Sequence, residues 1–223
     1  VDTVLELRAQ FAKNMVTALI RIEGKPYGII ANSTRHLGGA IDSYAADKAA
    51  RFLQLCNAFN LPVISLCDTP GFMVGPEHEA KGLIRHSSRL FLSAAALEVP
   101  MITIVLRKAY GLGAMAMAGG SFHVSFLTLA WQSGEFGAMG LEGAVKLGYK
   151  KELEAIEDEK ERQRLYDLLV AQEYEKGKAI NAAETLEFDE VIDPVETRNR
   201  IATAHGCFTL NSKNNPNSFI DSW

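Results

Sequence analysis

The segment Arg107-Lys108-Ala109-Tyr110-Gly111-Leu112-Gly113-Ala114-Met115-Ala116-Met117-Ala118-Gly119-Gly120 carries few reactive side chains, yet it is the stretch best suited to chemistry. A β-branched run, Ile102-Thr103-Ile104-Val105, leads into it. That order predicts a buried strand entering a glycine-spaced turn and then a helix of very small residues. The first N–H groups of such a helix have no carbonyl partner one turn back and point at whatever lies above them. They can hold a phosphate, a carboxylate or a developing oxyanion. Two phosphate-binding loops are excluded by spacing. Lys108 precedes the glycines and no Gly-Lys-Ser/Thr follows, while Gly111 and Gly113 lack the third glycine of a dinucleotide fingerprint. What remains is a pair of oxyanion-type backbone donors near Leu112 and Gly113. Close packing of helix on strand is the alternative use of such small residues.

Other polar candidates are weaker. Asp68-Thr69-Pro70-Gly71-Phe72-Met73-Val74-Gly75 follows an apolar run, at the strand end where α/β proteins place ligands. Asp68 there reads as a turn cap ahead of a ligand. Arg107 and Lys108 are either anion ligands or ordinary charges at a strand end. His36, His78, His86, His123 and His205 are scattered without metal-ligand spacing, although His78 and His86 could share one helix face. No Gly-x-Ser-x-Gly elbow occurs. Cys56 and Cys67 lie among apolar residues and read as reduced core thiols, as in a cytoplasmic or mitochondrial-matrix protein. A net charge of −4 gives no basic stripe for nucleic acid, and no apolar run is long enough to span a membrane.

Hydrophobic residues make up 48% of the 223 residues, enough for a sizeable core. One domain over residues 1–210 is expected, followed by a polar, Asn-rich tail over 211–223. Met15 to Ile22 and Tyr27 to Ala31 flank Glu23-Gly24-Lys25-Pro26 and read as a β-hairpin. From Tyr44 to Phe59, apolar residues recur at helical spacing, with Asp42 or Ser43 as N-cap. Strands are predicted at Val63–Cys67, Met101–Leu106, Phe122–Leu129 and Glu135–Met139, and a helix from Glu77 to Leu97. Lys150 to Gly177 is a charged helical stretch, broken once, whose Leu153, Ile156, Leu165, Leu168 and Leu169 form an apolar stripe. A short strand at Phe188–Pro194 and a helix at Val195–Ala204 close the pattern. Strand and helix alternate at crossover spacing, so the fold class is α/β with parallel pairing.

Read together and in order, several segments resemble the carboxyltransferase of biotin-dependent acyl-CoA carboxylases, in its C-terminal half. They are Asp47-Lys48-Ala49-Ala50-Arg51-Phe52, Cys56-Asn57-Ala58-Phe59-Asn60-Leu61-Pro62, Asp68-Thr69-Pro70-Gly71-Phe72 and Gly82-Leu83-Ile84-Arg85-His86. Arg107-Lys108-Ala109-Tyr110-Gly111, Ala130-Trp131, Met139-Gly140 and Val191-Ile192-Asp193-Pro194 complete the series. The resemblance implies a crotonase-like superhelix of ββα units. It implies transfer of a carboxyl group from carboxybiotin, carried on a biotin carboxyl carrier charged by a biotin carboxylase, to the α-carbon of a coenzyme A thioester. In the family's usual account carbon dioxide is released in the site, the ureido nitrogen takes the α-proton, and the thioester enolate attacks the carbon dioxide. One backbone oxyanion hole faces the biotin ureido oxygen, and a second, in the N-terminal half, faces the thioester oxygen. Carried onto this sequence, the first is the amides of Leu112 and Gly113. Gly71, Phe72, Tyr110, Gly111, Ala114 and Met115 are the implied binding residues.

Two departures from the family pattern stand out. Leu112 replaces the second glycine of the usual Gly-Gly-Ala, and Met115 stands where many propionyl- and acetyl-CoA carboxylases have an aspartate that influences acyl choice. An apolar residue there points to a longer or branched acyl group. The family's site also lies between two halves from different subunits of an oligomer. Hence this chain, which starts at Val1 and holds the second half, is expected to fold but to lack turnover alone. A biotin-dependent decarboxylase, a hydratase or thioesterase using Glu77, Glu79 or Glu135, and a carrier-docking module are the competing readings.

Overall fold

The computed structural model describes residues 4–208; the tail expected over 211–223 lies outside them. Its strands are β1 (Val4–Leu7), β2 (Met15–Ile22), β3 (Lys25–Asn32), β4 (Val63–Thr69), β5 (Met101–Tyr110), β6 (Leu127–Trp131), β7 (Glu135–Gly137) and β8 (Glu190–Ile192). Its α-helices are α1 (Ser43–Ala58), α2 (Pro76–Ala80), α3 (Leu83–Ala95), α4 (Gly111–Met117), α5 (Leu141–Gly148), α6 (Lys150–Glu154), α7 (Glu159–Lys176), α8 (Ala179–Ala183) and α9 (Thr197–His205). The sheet runs β1-β2-β3-β4-β5-β6-β8, so each strand through β6 lies beside its predecessor, while β8 lies beside β6 and β7 pairs with β5. From β3 onward the pairing is parallel, and helical crossovers connect the strands. The chain therefore advances as a spiral of strand-and-helix turns, the α/β class and crotonase-like arrangement expected from the sequence.

The hairpin is tighter than the sequence reading. Only Glu23 and Gly24 form the turn, at φ +48° and +77°, and Lys25 and Pro26 already belong to β3. Such left-handed two-residue turns match the twist of the flanking strands. Asp42 caps α1 by accepting a hydrogen bond from the Ala45 N–H at 2.9 Å. The helix expected from Glu77 to Leu97 is instead two, because Gly82 adopts the left-handed region between α2 and α3. The strand expected at Phe122–Leu129 begins only at Leu127 and runs on to Trp131. Just before this region, Gly119 and Gly120 both hold positive φ, and this reverses the chain after α4. The charged stretch is broken once after Glu154, as expected. Its Leu153 and Leu169 are buried with Val145 of α5, while Leu168 is exposed.

The strands alternate sides as a sheet must. Val63, Cys67, Met101 and Val105 face α1, α3 and α4 in one cluster, whereas Ile64, Ile102, Ile104 and Leu129 face α9 through Ile201 and Ala204. Ala45, Ala46, Ala49 and Ala50 give α1 a smooth buried side that sits close to the sheet. Lys48 is also buried, and its ammonium donates to the Phe11 carbonyl at 2.7 Å, tying the β1–β2 connection to α1. Burial pulls its pKa down, with smaller opposed contributions from Glu6 and Arg8. Near the start of β3, Gly28 admits Cys56 and Phe52 of α1. A Cβ there would overlap the Cys56 sulfur and lie 3.1 Å from a Phe52 ring carbon. Gly28→Ala is expected to lower unfolding free energy by about 1–3 kcal/mol through overpacking. Adding Cys56→Ala should return part of that loss in urea denaturation, and an unchanged midpoint for the single variant would refute the contact.

Candidate functional site

The site forms where β4 and β5 end. β4 continues to Gly71 and Phe72, which lie against the chain just ahead of α1. The Ile41 N–H donates to the Gly71 carbonyl at 3.0 Å, and the Met73 N–H donates to the Ile41 carbonyl at 2.9 Å. Gly71 is held at φ +118°, and its N–H donates to the Thr69 hydroxyl at 3.1 Å. β5 ends at Tyr110, and Gly111 turns the chain into α4 at φ +57°. A Cβ on Gly111 would stand 2.7 Å from the Ala138 carbonyl oxygen. A Cβ on Gly113 would stand 2.7 Å from both Cα and the carbonyl carbon of Gly71 and 2.9 Å from the Phe72 nitrogen. The turn after β4 and the first turn of α4 thus touch backbone to backbone.

Among the sequence-derived site residues, Gly71, Phe72, Tyr110, Gly111 and Gly113 are gathered by these contacts. Ala114 is buried behind them. Leu112 and Gly113 are the second and third residues of α4, so their N–H groups have no acceptor one turn back within the helix. Gly113 is buried, whereas the Leu112 side chain is 64% exposed and leaves the turn open. Met115 borders a cavity of about 360 Å³ that Ala109, Gly111, Phe122, Phe136, Gly137, Ala138, Lys176, Gly177 and Glu187 also line. Phe122, Phe136 and Phe188 pack together at its apolar side, with the Phe136 and Phe188 rings 4.2 Å apart. Sequence reasoning missed Phe122 and Phe136 because their distance along the chain from Met115 gives no periodic signal. Only the pairing of β7 with the end of β5 brings Phe136 there.

The charged residues have structural partners. The β4–β5 register slips between Cys67↔Val105 and Thr69↔Ala109, and Asp68 fills the gap. Its carboxylate accepts the Lys108 N–H at 3.2 Å and pairs with the Arg107 guanidinium at 3.3 Å. Asp68 therefore caps a neighbouring strand, and the Lys108 ammonium is spent on the Gly38 carbonyl at 2.9 Å. His78 and His86 do not share a helix face, since they sit on α2 and α3. His86 instead meets Asp47 at 2.7 Å, and Arg89 meets the same carboxylate at 3.0 Å, joining α3 to α1. Burial pushes the Cys56 and Cys67 thiols up to about 12, with the Asp68 charge adding to the effect at Cys67. Both stay protonated near neutrality and are poor nucleophiles. Among the described residues, no group of three His, Cys, Asp or Glu side chains converges as a metal site, and no helix is long and apolar enough to cross a membrane.

Of the carboxylates considered for acid–base work, Glu77 and Glu79 lie exposed in the first turn of α2. Glu135 accepts a hydrogen bond from the buried Tyr110 phenol at 2.8 Å. Burial first, and that bond next, raise the Tyr110 pKa above its ordinary value. The chemistry left at the turn is backbone donation. Gly113→Ala should force α4 away from Gly71, because the clashing atoms are main chain and cannot rotate aside. The expected cost is about 1–3 kcal/mol of unfolding free energy. Thermal unfolding of the purified chain checks it, and wild-type stability would show that the two turns are not in contact.

Comparison with known proteins gives concordant matches. The model of the carboxyl transferase domain family matches residues 2–219. The methylmalonyl-CoA carboxyltransferase 12S subunit of Propionibacterium freudenreichii subsp. shermanii is 37% identical over 95% of this chain and 40% of its own length. The biotin-dependent acetyl-/propionyl-coenzyme A carboxylase beta5 subunit of Mycobacterium tuberculosis is 40% identical over 91% of this chain and 37% of its own. Among solved structures, a single-chain, multi-domain long-chain acyl-CoA carboxylase superimposes with a TM-score of 0.83 at 58% identity, over 92% of this chain and 20% of that one. The transcarboxylase 12S hexamer with methylmalonyl-CoA bound also gives 0.83, at 35% identity, over 95% of this chain and 41% of that one. The chain spans about two fifths of the length of these curated relatives.

Proposed function

This chain belongs to the carboxyl transferase domain family, and from that premise we propose that it supplies the biotin side of an enzyme moving a carboxyl group from carboxybiotin to the α-carbon of an acyl-CoA. The observation that carries the reading is the turn at Leu112 and Gly113, whose N–H groups stand free of the helix and are fixed by the contact between Gly113 and Gly71. The residues present fit a ureido carbonyl: two adjacent backbone donors and an open side at Leu112. Bound biotin would supply the transferable carboxyl group and a ureido nitrogen able to accept a proton. The chain's own part is electrostatic. The amides of Leu112 and Gly113 would hold the ureido oxygen, and they need no reorganisation because the turn is already formed. Gly71 and Phe72 hold α4 in place, and Tyr110 and Gly111 aim the turn. No side chain is required as base.

Met115 borders a cavity with Phe122 and Phe136 on one side and Lys176 and Glu187 also in its lining, and the apolar side suits an acyl group longer than acetyl or propionyl. The 58% identity to a long-chain acyl-CoA carboxylase supports the same substrate class. Two fifths of a carboxyltransferase subunit does not make a whole site. The thioester-side oxyanion hole comes from the N-terminal half, within an oligomer that also receives the biotin carboxyl carrier and works with a biotin carboxylase.

The test mixes this chain with the N-terminal half and assays carboxybiotin-dependent carboxylation of acyl-CoAs of graded length. Activity should appear only in the mixture and fall at least about a hundredfold in Gly113→Pro, which removes one donor and also displaces α4 from Gly71; a smaller fall in Gly113→Ala, which displaces the helix but keeps the N–H, separates the two effects. Turnover by the chain alone would overturn the division into halves. An assembled but inactive mixture would favour the decarboxylase or the docking module. In the same assay, Met115→Asp should shift preference towards acetyl- or propionyl-CoA by about tenfold, since a carboxylate on the cavity wall disfavours an apolar chain beside it. An unchanged profile would remove Met115 from acyl selection.

A further inference from the structure

We propose that Glu135 is a positioning residue, which through its hydrogen bond to Tyr110 sets the direction of the amides at Leu112 and Gly113; this rests on the proposed oxyanion role of those amides. Tyr110 is both the last residue of β5 and the N-cap of α4, and its side chain makes no capping bond to the helix. Whatever fixes Tyr110 therefore fixes the first turn. Tyr110 is 4% exposed, and its phenol donates to Glu135 Oε2 at 2.8 Å. The two residues stand diagonally across the β5–β7 ladder, where Lys108 faces Glu135 and Tyr110 faces Gly137.

The same strand also supports the turn from below. One residue past β7, the Ala138 carbonyl lies against Gly111 so closely that a Cβ would stand 2.7 Å from it. β7 and the residue after it thus meet the amide turn twice, through Glu135 on Tyr110 and through Ala138 on Gly111. The ladder itself is only three residue pairs long, because β6 pairs with the earlier part of β5. So short a ladder defines position weakly by backbone bonds alone, and the side-chain bond supplies what is missing. Within β7, the Phe136 N–H donates to the Gly177 carbonyl at 2.7 Å, and Glu135 forms an isolated bridge with Lys178. The end of α7 therefore buttresses the strand that holds Glu135.

The experiment uses this chain assembled with the N-terminal carboxyltransferase half and a biotin-bearing carrier. Turnover by the wild type tests the functional reading, and the variants test this one. Tyr110→Phe and Glu135→Leu should each lower kcat by about tenfold to a hundredfold while KM for the acyl-CoA stays within about twofold. Their double variant should be no worse than either single one. Glu135→Gln, whose amide oxygen still accepts from the phenol, should recover most of kcat. Loss of activity in Glu135→Gln as deep as in Glu135→Leu would overturn positioning in favour of direct proton transfer. Wild-type kcat in Tyr110→Phe would overturn it outright, and so would a loss of kcat matched by a comparable rise in KM and a fallen Tm. An inactive wild-type enzyme would instead count against the carboxyltransferase reading.

Discussion

The backbone of α4 reaches the backbone of the β4 turn only because neither Gly113 nor Gly71 has a side chain. A single Cβ on Gly113 would lie 2.7 Å from two main-chain carbons of Gly71. Main-chain atoms in a turn bonded to Ile41 on both sides have little freedom to retreat. The contact therefore dictates where the first turn of α4 can sit, and with it the direction of the free amides. Most other features around the site either deliver these two turns or prevent them from moving.

Delivery is the task of the sheet. β4 and β5 are adjacent parallel strands, so their C-terminal ends emerge side by side. The register slip at Asp68 lets β5 run on past Val105 before it pairs again at Ala109, and the Asp68 carboxylate satisfies the Lys108 N–H left over. An unpaired buried amide would cost about 1–3 kcal/mol. Arg107 keeps that carboxylate from being a lone charge. Residues that look like ligands in the sequence are thus used to complete an irregular strand pair, and this leaves the turn itself free of side-chain charge.

Much of this was legible beforehand. The hairpin, α1 with its Asp42 cap, the β4 and β5 runs and the glycine-spaced turn follow from local pattern, because each carries its own periodicity or stop signal. The break at Gly82 was missed because helical residues continue on both sides of it, and only a left-handed φ interrupts them. The late start of β6 was missed because Phe122, Val124 and Phe126 alternate as a strand does, yet the reversal at Gly119 and Gly120 spends those residues on a turn. At the site, the residues of the two turns were readable from the resemblance. Phe122, Phe136 and the Tyr110–Glu135 bond were not, because they depend on β7 returning to the end of β5, a long-range pairing that no local spacing encodes.

The central claim is that the amides of Leu112 and Gly113 receive the ureido oxygen of biotin. The most direct measurement is a titration of the isotopically labelled chain with a soluble biotin amide, followed through its backbone N–H resonances. The account predicts the largest shifts at Leu112 and Gly113, smaller ones at Phe72 and Gly111, and loss of the pattern with a biotin analogue lacking the ureido oxygen. Shifts centred elsewhere, or the same pattern without that oxygen, would contradict it.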